Sequence, residues 1–156
     1  METKRLASQL RRSYEGEAWH GPSLRELLNG ITAEQAAAKP IAGAHSIWEL
    51  VLHVEAWESE ALAIAGGKPY ETLAGEKDWP RVRDTGAGAW QAALDRLETA
   101  TRELVAAIKA MDDAKLDEIA GGSPFNYYFL FHGVVQHNLY HAGQIALLKR
   151  AVAVAS

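Results

Sequence analysis

The chain has 156 residues, 48% of them hydrophobic and 23% charged, with a net charge of −4 and no cysteine. These values describe one globular domain, residues 1–156, and exclude disulfides, thiolate metal ligands and a cysteine nucleophile. No basic cluster, long apolar run or secretion signal is recognisable, so we expect a cytoplasmic protein whose partners are neither nucleic acid nor membrane.

The first predicted helix covers residues 2–14, where Leu6, Leu10 and Tyr14 recur one turn apart. Glycines and a proline interrupt it, because both residue types break helical structure. Helical spacing of leucines then resumes over residues 24–31. The sequence therefore predicts one long helix followed by a short one.

Two capping boxes predict where the next helices begin. Thr32 with Gln35 opens a short helix, and Ser46 with Glu49 opens the second long one, because each pair can satisfy N–H groups of a first turn. The second long helix ends at a pair of glycines. The segment that follows, residues 67–88, is rich in glycine, proline and aspartate and is long for a connection between packed helices. Segments of this kind are typically lids, binding surfaces or disordered.

Two further helices complete the pattern. The third covers residues 89–111, with apolar residues at the alternating 4-3 spacing of a bundle. The fourth begins with Ser123 as the N-cap and Pro124 as the first residue, and runs to about Val152. Four long striped segments without a strand pattern predict an all-α four-helix bundle, with short extra helical segments and a long loop between helices 2 and 3.

Three histidines fall on the inner faces of this predicted bundle. His137 and His141 lie one turn apart in the core-facing stripe of the fourth helix, and His53 lies in the stripe of the second. Burying an unpaired imidazole nitrogen costs about 1 to 3 kcal/mol, and a shared cation removes that cost for all three. We therefore predict that they bind one divalent metal ion. The pattern also fits ordinary core histidines bonded to carbonyl groups.

Two polar residues near the histidines are candidate catalytic groups. Glu49 lies one turn before His53 and could orient its ring, bind the metal or act as a base, although its capping role also explains it. Gln144 lies close in angle to His137 and could bond a ligand or a bound water, or be solvated. His132 lies on another side of the helix, so we do not predict it as a ligand.

Other metal centres of helical bundles fit less well. A bis-histidine haem would need only two of the three histidines. A di-iron carboxylate centre would need paired Glu-x-x-His motifs on opposed helices, and the sequence lacks them.

The segments 43–53 and 132–145 resemble the DinB/YfiT-like superfamily of metal-binding four-helix bundles, and the segment 18–28 resembles one branch of it. The shared pattern combines a histidine in the second helix with His-x-x-Tyr-His-x-Gly-Gln in the last. The resemblance implies zinc, nickel or iron as the metal and a homodimer as the assembly. Its ligand triad falls on His53, His137 and His141.

The resemblance also suggests two kinds of activity. Some relatives are transferases or isomerases that use low-molecular-weight thiols such as bacillithiol or mycothiol, and others are regarded as metal-dependent hydrolases. Three neutral ligands leave a metal with an open position, as in catalytic zinc sites. We therefore expect a metal-bound water or an exogenous thiol to attack a small-molecule substrate. The alternative is a non-catalytic metal- or ligand-binding stress-response protein.

Overall fold

The protein is described by a computed structural model that covers residues 1–155, and its regular structure is helical. Two short 3-10 helices, Gly75–Lys77 and Asp113–Asp117, supplement the α-helices. Within this range no helix combines the length and the apolar character that a membrane span requires. The α-helices are α1 (Glu2–Glu15), α2 (Leu24–Leu28), α3 (Ala33–Ala37), α4 (Ile47–Ala65), α5 (Ala87–Ala110) and α6 (Tyr127–Ala155).

The four long helices α1, α4, α5 and α6 form the bundle that the sequence predicts. Both α1 and α4 pack against α5 and α6. The short helix α2 lies against α1 and α6, and α3 lies against α4 and α5. The predicted fold class is therefore confirmed. Because α4 and α6 are neighbours, their inner faces meet inside the bundle.

The direction of the helices explains the long loop after α4. The starts of α4 and α5 meet in one buried cluster, through Trp48 and Trp90, and their ends meet in a second, through Ile64 and Ile108. The two helices therefore run in the same direction. At 1.5 Å per residue, the 19 residues of α4 span about 28 Å, which the chain must cover again before α5 begins.

A close backbone approach anchors the first part of this loop. Tyr70 N donates a hydrogen bond to Gly121 O over 2.8 Å. Gly121 has a φ of 59°, and a Cβ built on it would lie 2.8 Å from the carbonyl oxygen of Lys68 and from the amide nitrogen of Tyr70. Only glycine fits this position, because a side chain would meet backbone atoms.

Both predicted capping boxes are present. Thr32 Oγ1 accepts from Gln35 N over 3.2 Å, and Ser46 Oγ accepts from Glu49 N over 3.2 Å. In both pairs the longer side chain also accepts from the N–H of the cap residue. The starts of α3 and α4 are thus fixed by local sequence.

The predicted start of the last helix was wrong. Ser123 and Pro124 precede α6, which begins at Tyr127. Ser123 Oγ instead accepts from the N–H of Phe125 and donates to its carbonyl oxygen. The carboxamide of Asn126 accepts from Phe129 N over 2.9 Å, which is the contact of an N-cap. Backbone pairing across the preceding glycines delays the helix until this cap.

Buried polar side chains from all four long helices meet in one network. Asn138 Nδ2 of α6 donates to Glu58 Oε1 of α4 over 2.7 Å and to Ser13 Oγ of α1 over 3.3 Å. Thr101 Oγ1 of α5 lies 2.5 Å from Glu58 Oε2. All four residues are almost fully buried. Since Asn138 adjoins His137, the network fixes α6 at the level of the predicted metal site.

The hydrogen count in this network indicates that Glu58 carries a proton. The single hydroxyl hydrogen of Thr101 has two acceptors within reach, Glu58 Oε2 and the carbonyl oxygen of Leu97, the latter at 3.0 Å. It can satisfy only one, whereas a protonated Glu58 could donate to Thr101 Oγ1 and leave that hydrogen for Leu97. Burial acts in the same direction and raises the pKa of Glu58 to about 7.

We expect Glu58→Gln to remove part of the pH dependence of stability. The folded protein holds the Glu58 proton up to a pKa of about 7, whereas the unfolded chain releases it near 4.5. The free energy of unfolding of the parent therefore falls as the pH rises through this window, by up to about 3 kcal/mol. Glutamine stays neutral, so the free energy of unfolding of the variant should fall less than that of the parent across this window.

Urea unfolding across this pH window measures the effect. The control is Glu103→Gln, at an exposed position of α5, which should keep the parental profile. A Glu58→Gln profile parallel to that of the parent would contradict a buried proton at Glu58.

Candidate metal centre

The three predicted histidines lie together between α4 and α6. His137 Nε2 is 2.9 Å from His53 Nε2 and 3.0 Å from His141 Nε2. His53 and His141 are buried, with 5% and 4% of their surface exposed, and His137 is half-buried. The four-residue spacing on α6 places His137 and His141 on one face, and the packing of α4 brings His53 to the same point. We call these three residues the histidine triad.

Two neighbouring carbonyl groups fix the protonation of the triad. His53 Nδ1 lies 2.7 Å from the backbone oxygen of Asp78, and His141 Nδ1 lies 2.6 Å from Gln144 Oε1. A carbonyl oxygen only accepts, so both Nδ1 atoms donate, and both Nε2 atoms carry lone pairs. These lone pairs point toward the Nε2 atom of His137.

The ring hydrogen of a neutral His137 cannot form hydrogen bonds to both facing lone pairs. One hydrogen at its Nε2 would bond to only one of the two facing nitrogens. Its Nδ1 is buried and has no hydrogen-bond partner among residues 1–155. A cation at the common point would instead be bound by all three lone pairs. The triad is therefore suited to hold a metal ion.

The distances agree with this conclusion. In tetrahedral zinc sites, Zn–N bonds of about 2.0 to 2.1 Å place the nitrogens about 3.3 Å apart. The two Nε2 separations of 2.9 and 3.0 Å are a few tenths of an ångström shorter. All three ligand atoms lie within 4.8 Å of one another. Two of the three pairs of nitrogens are therefore near the separation found in a zinc site.

The loop between α4 and α5 covers the triad. The indole of Trp79 stacks on the imidazole of His53, with ring centroids 3.8 Å apart, and on that of His45, at 3.6 Å. Asp78 holds His53 through its backbone oxygen, and its carboxylate accepts from Trp57 Nε1 over 2.8 Å. The segment 67–88, which the sequence predicts as a lid, a binding surface or disorder, thus supplies a wall of the site.

The two candidate catalytic residues have different surroundings. The carboxylate of Glu49 bonds to the ammonium group of Lys39 and the N–H of Ser46, and lies 3.3 Å from His45. These contacts support its capping role, and no described hydrogen bond joins it to the triad. The carboxamide of Gln144 bonds directly to His141 and therefore orients its ring.

The remaining histidines lie outside the triad. The ring of His132 packs against Tyr128, with centroids 4.4 Å apart, and His20 is exposed. His45 approaches the site only through its stack on Trp79. Sequence reasoning did not place Asp78 beside His53, because a loop residue bears no periodic signal that places it beside a helix.

The electrostatics keep the triad neutral. Burial lowers the pKa of His53 and of His141. The pKa of His137 falls to about 3, chiefly through burial and then through the neighbouring His141 and His53. Neutral imidazole is the form that binds a metal, so no proton has to be displaced from the ligand nitrogens of His53 and His141.

We expect His137 of the metal-free protein to stay neutral well below pH 6.5. Its lowered pKa means that the folded state binds fewer protons than the unfolded chain, so its contribution to stability is lost as the pH falls. An NMR titration of the ring resonances measures the pKa, with His137→Gln identifying the signal. Protonation of His137 near the ordinary value of 6.5 would contradict the proposed surroundings.

Comparison with known proteins gives one match. No curated protein and no solved structure is significantly similar to the chain. A family model described as the DinB superfamily matches residues 18–145, which include the whole triad and the loop that covers it. This match confirms the resemblance that the sequence motifs indicate. The chain therefore belongs to the DinB superfamily.

Proposed function

We propose that the protein is an enzyme that binds one divalent metal ion through His53, His137 and His141 and acts on a small molecule. The observation that supports this proposal most strongly is the convergence of three Nε2 atoms, two of them fixed as lone-pair donors. Zinc, nickel and iron all accept imidazole ligands, so each is a candidate for the native metal.

The ligand set favours catalysis over a purely structural role. A cation held by three neutral imidazoles keeps its charge and an open position, at which a water molecule or a thiol becomes acidic near neutral pH. The chain has no cysteine, so a thiol would have to be a low-molecular-weight co-substrate. We therefore propose either a thiol S-transferase or a hydrolase.

The residues around the triad have defined tasks in this proposal. The Asp78 carbonyl and the Gln144 carboxamide hold the rings of His53 and His141 in the orientation that presents Nε2. The indole of Trp79 covers one ring face of His53 and limits the access of water there.

One observation favours a second candidate function, a non-catalytic metal- or ligand-binding protein of the stress response. The carboxylates of Glu49 and Asp78 are both engaged, the first with Lys39 and the second with Trp57. Neither is free to act as a general base in this arrangement. The homodimer and the cytoplasmic location stay predictions of the sequence.

Metal content is the first test. We expect protein purified without added metal or chelator to contain about one divalent ion per chain, because one triad supplies one set of ligands. His141→Ala should lose the ion, and His20→Ala, which removes an exposed histidine, should retain it. Inductively coupled plasma mass spectrometry measures both. An absence of stoichiometric metal under every loading condition would refute the assignment.

Turnover is the second test. We expect the metal-loaded protein to convert activated esters or epoxides, with His141→Ala inactive because that variant loses the metal ion. Product analysis by mass spectrometry with and without added thiols separates the two classes of enzyme. A thioether or thioester product identifies a transferase, and a thiol-independent hydrolysis product identifies a hydrolase. Full metal occupancy without turnover would favour the non-catalytic alternative.

A further inference from the structure

A pocket lined by aromatic side chains lies directly beside the histidine triad. It has a volume of about 280 Å³. Its walls are formed by Trp57 of α4, Tyr70 of the loop, Phe125 just before α6 and Phe129 in its first turn. The surface of α6 from Leu130 to His137 forms the rest of the lining. We call this cavity the aromatic pocket.

The uncharged, aromatic lining of the pocket favours an uncharged ligand. Among the described residues that line the pocket, none is Asp, Glu, Lys or Arg. The ring of Phe125 lies 5.1 Å from that of Tyr70, edge to face, and 5.5 Å from that of Phe129. Phe129 remains 65% exposed, although it is a large apolar side chain. Rings in such arrangements pack favourably with the faces and edges of another aromatic ring.

The volume of the pocket suits a ligand group with a single aromatic ring or with two fused rings. Ligand pockets in proteins commonly measure about 300 to 1,000 Å³, and an apolar cavity of about 150 Å³ holds benzene. The aromatic pocket, at about 280 Å³, lies between these values. A drug-sized molecule would extend beyond it, whereas the volume of a phenyl or indolyl group would fit within it.

The pocket and the triad share a wall. His137 belongs to both, and its ring lies 6.0 Å from that of Trp57. Trp57 in turn donates to the carboxylate of Asp78, the residue whose backbone oxygen holds His53. A group bound in the pocket therefore lies one imidazole ring away from the point where the three Nε2 atoms converge.

We propose that the aromatic pocket binds a small, neutral aromatic group of the substrate and places the reacting atom of that substrate at the triad. This inference rests on the proposed function, because it names the class of substrate for that same site. Binding of the aromatic group alone needs no metal, so the pocket is testable even if the enzymatic proposal fails.

Gly133 provides a way to fill the pocket without disturbing the triad. It lies within α6, and apart from its chain neighbours and the nearby backbone of α6 no described atom lies within 4 Å of a Cβ built on it. Gly133→Leu would therefore extend a side chain into open space along the pocket wall. Leucine also has a higher helix propensity than glycine, so the variant should fold.

Gly143 offers a matched control on the same helix. It too has no described atom within 4 Å of a built Cβ, and it does not line the aromatic pocket. Gly143→Leu thus makes the same substitution on the same helix, but outside the aromatic pocket. Circular dichroism and metal content should show that both variants fold and keep the ion.

The first measurement is indole binding to the full chain by isothermal titration calorimetry. We expect the parent and Gly143→Leu to bind indole alike, and Gly133→Leu to bind it at least about tenfold more weakly, because the new side chain occupies the same volume. Cyclohexanol and benzoate should bind more weakly than indole. Equal indole affinity in the parent and in folded Gly133→Leu would overturn the proposal, and so would tighter binding of benzoate.

The second measurement applies to the metal-loaded protein once turnover is found. We expect Gly133→Leu to raise the KM for a phenyl ester and to leave the kcat/KM for the corresponding methyl ester unchanged. An equal loss for both esters would overturn the assignment of the pocket to the substrate. If sedimentation shows instead that Gly133→Leu changes the oligomeric state, the pocket is an interface between copies, and the proposal is wrong.

Discussion

The geometry of the candidate metal centre depends on one constraint. Three imidazole rings have nitrogens that face one another between packed helices, and this arrangement costs free energy. Two of these rings are fixed from outside, His53 by a backbone carbonyl of the loop and His141 by Gln144. Their lone pairs then meet at His137, where a single hydrogen can satisfy only one of them. Placing such groups between packed helices is unfavourable unless a cation joins them. The fit to a metal ion therefore follows from the hydrogen bonds behind the rings as much as from the rings themselves.

The same constraint requires accurate placement of α6 against α4. A shift of one turn would carry His137 past His53, and apolar contacts alone tolerate some sliding because they are not directional. The network around Glu58 is directional and lies beside the triad, since Asn138 follows His137 in sequence. It draws one residue from each long helix, so a shift of any helix would leave a buried polar group without its partner. We regard this network as the element that sets the register of the site.

The sequence predicted those parts of the structure that depend on local or periodic signals. Capping boxes placed the starts of α3 and α4, and the 4-3 spacing on two helices identified His53, His137 and His141. The start of α6 was missed because Asn126 competes with Ser123 as the cap, and backbone pairing decides between them. Glu58 and Asp78 were missed for a different reason. An acidic residue is usually exposed, and only the tertiary fold shows that these two contact the interior.

The long loop meets a topological need and also contacts the histidine triad. Because α4 and α5 run in the same direction, the chain must return along the bundle, and its path crosses the triad midway. At that crossing Asp78 contacts both His53, a proposed ligand, and Trp57, a wall of the aromatic pocket. A molecule that displaces the indole of Trp57 would therefore act on Asp78 and, through it, on the ring of His53. Asp78, a residue of the loop, thus connects the proposed ligand His53 with the wall of the aromatic pocket.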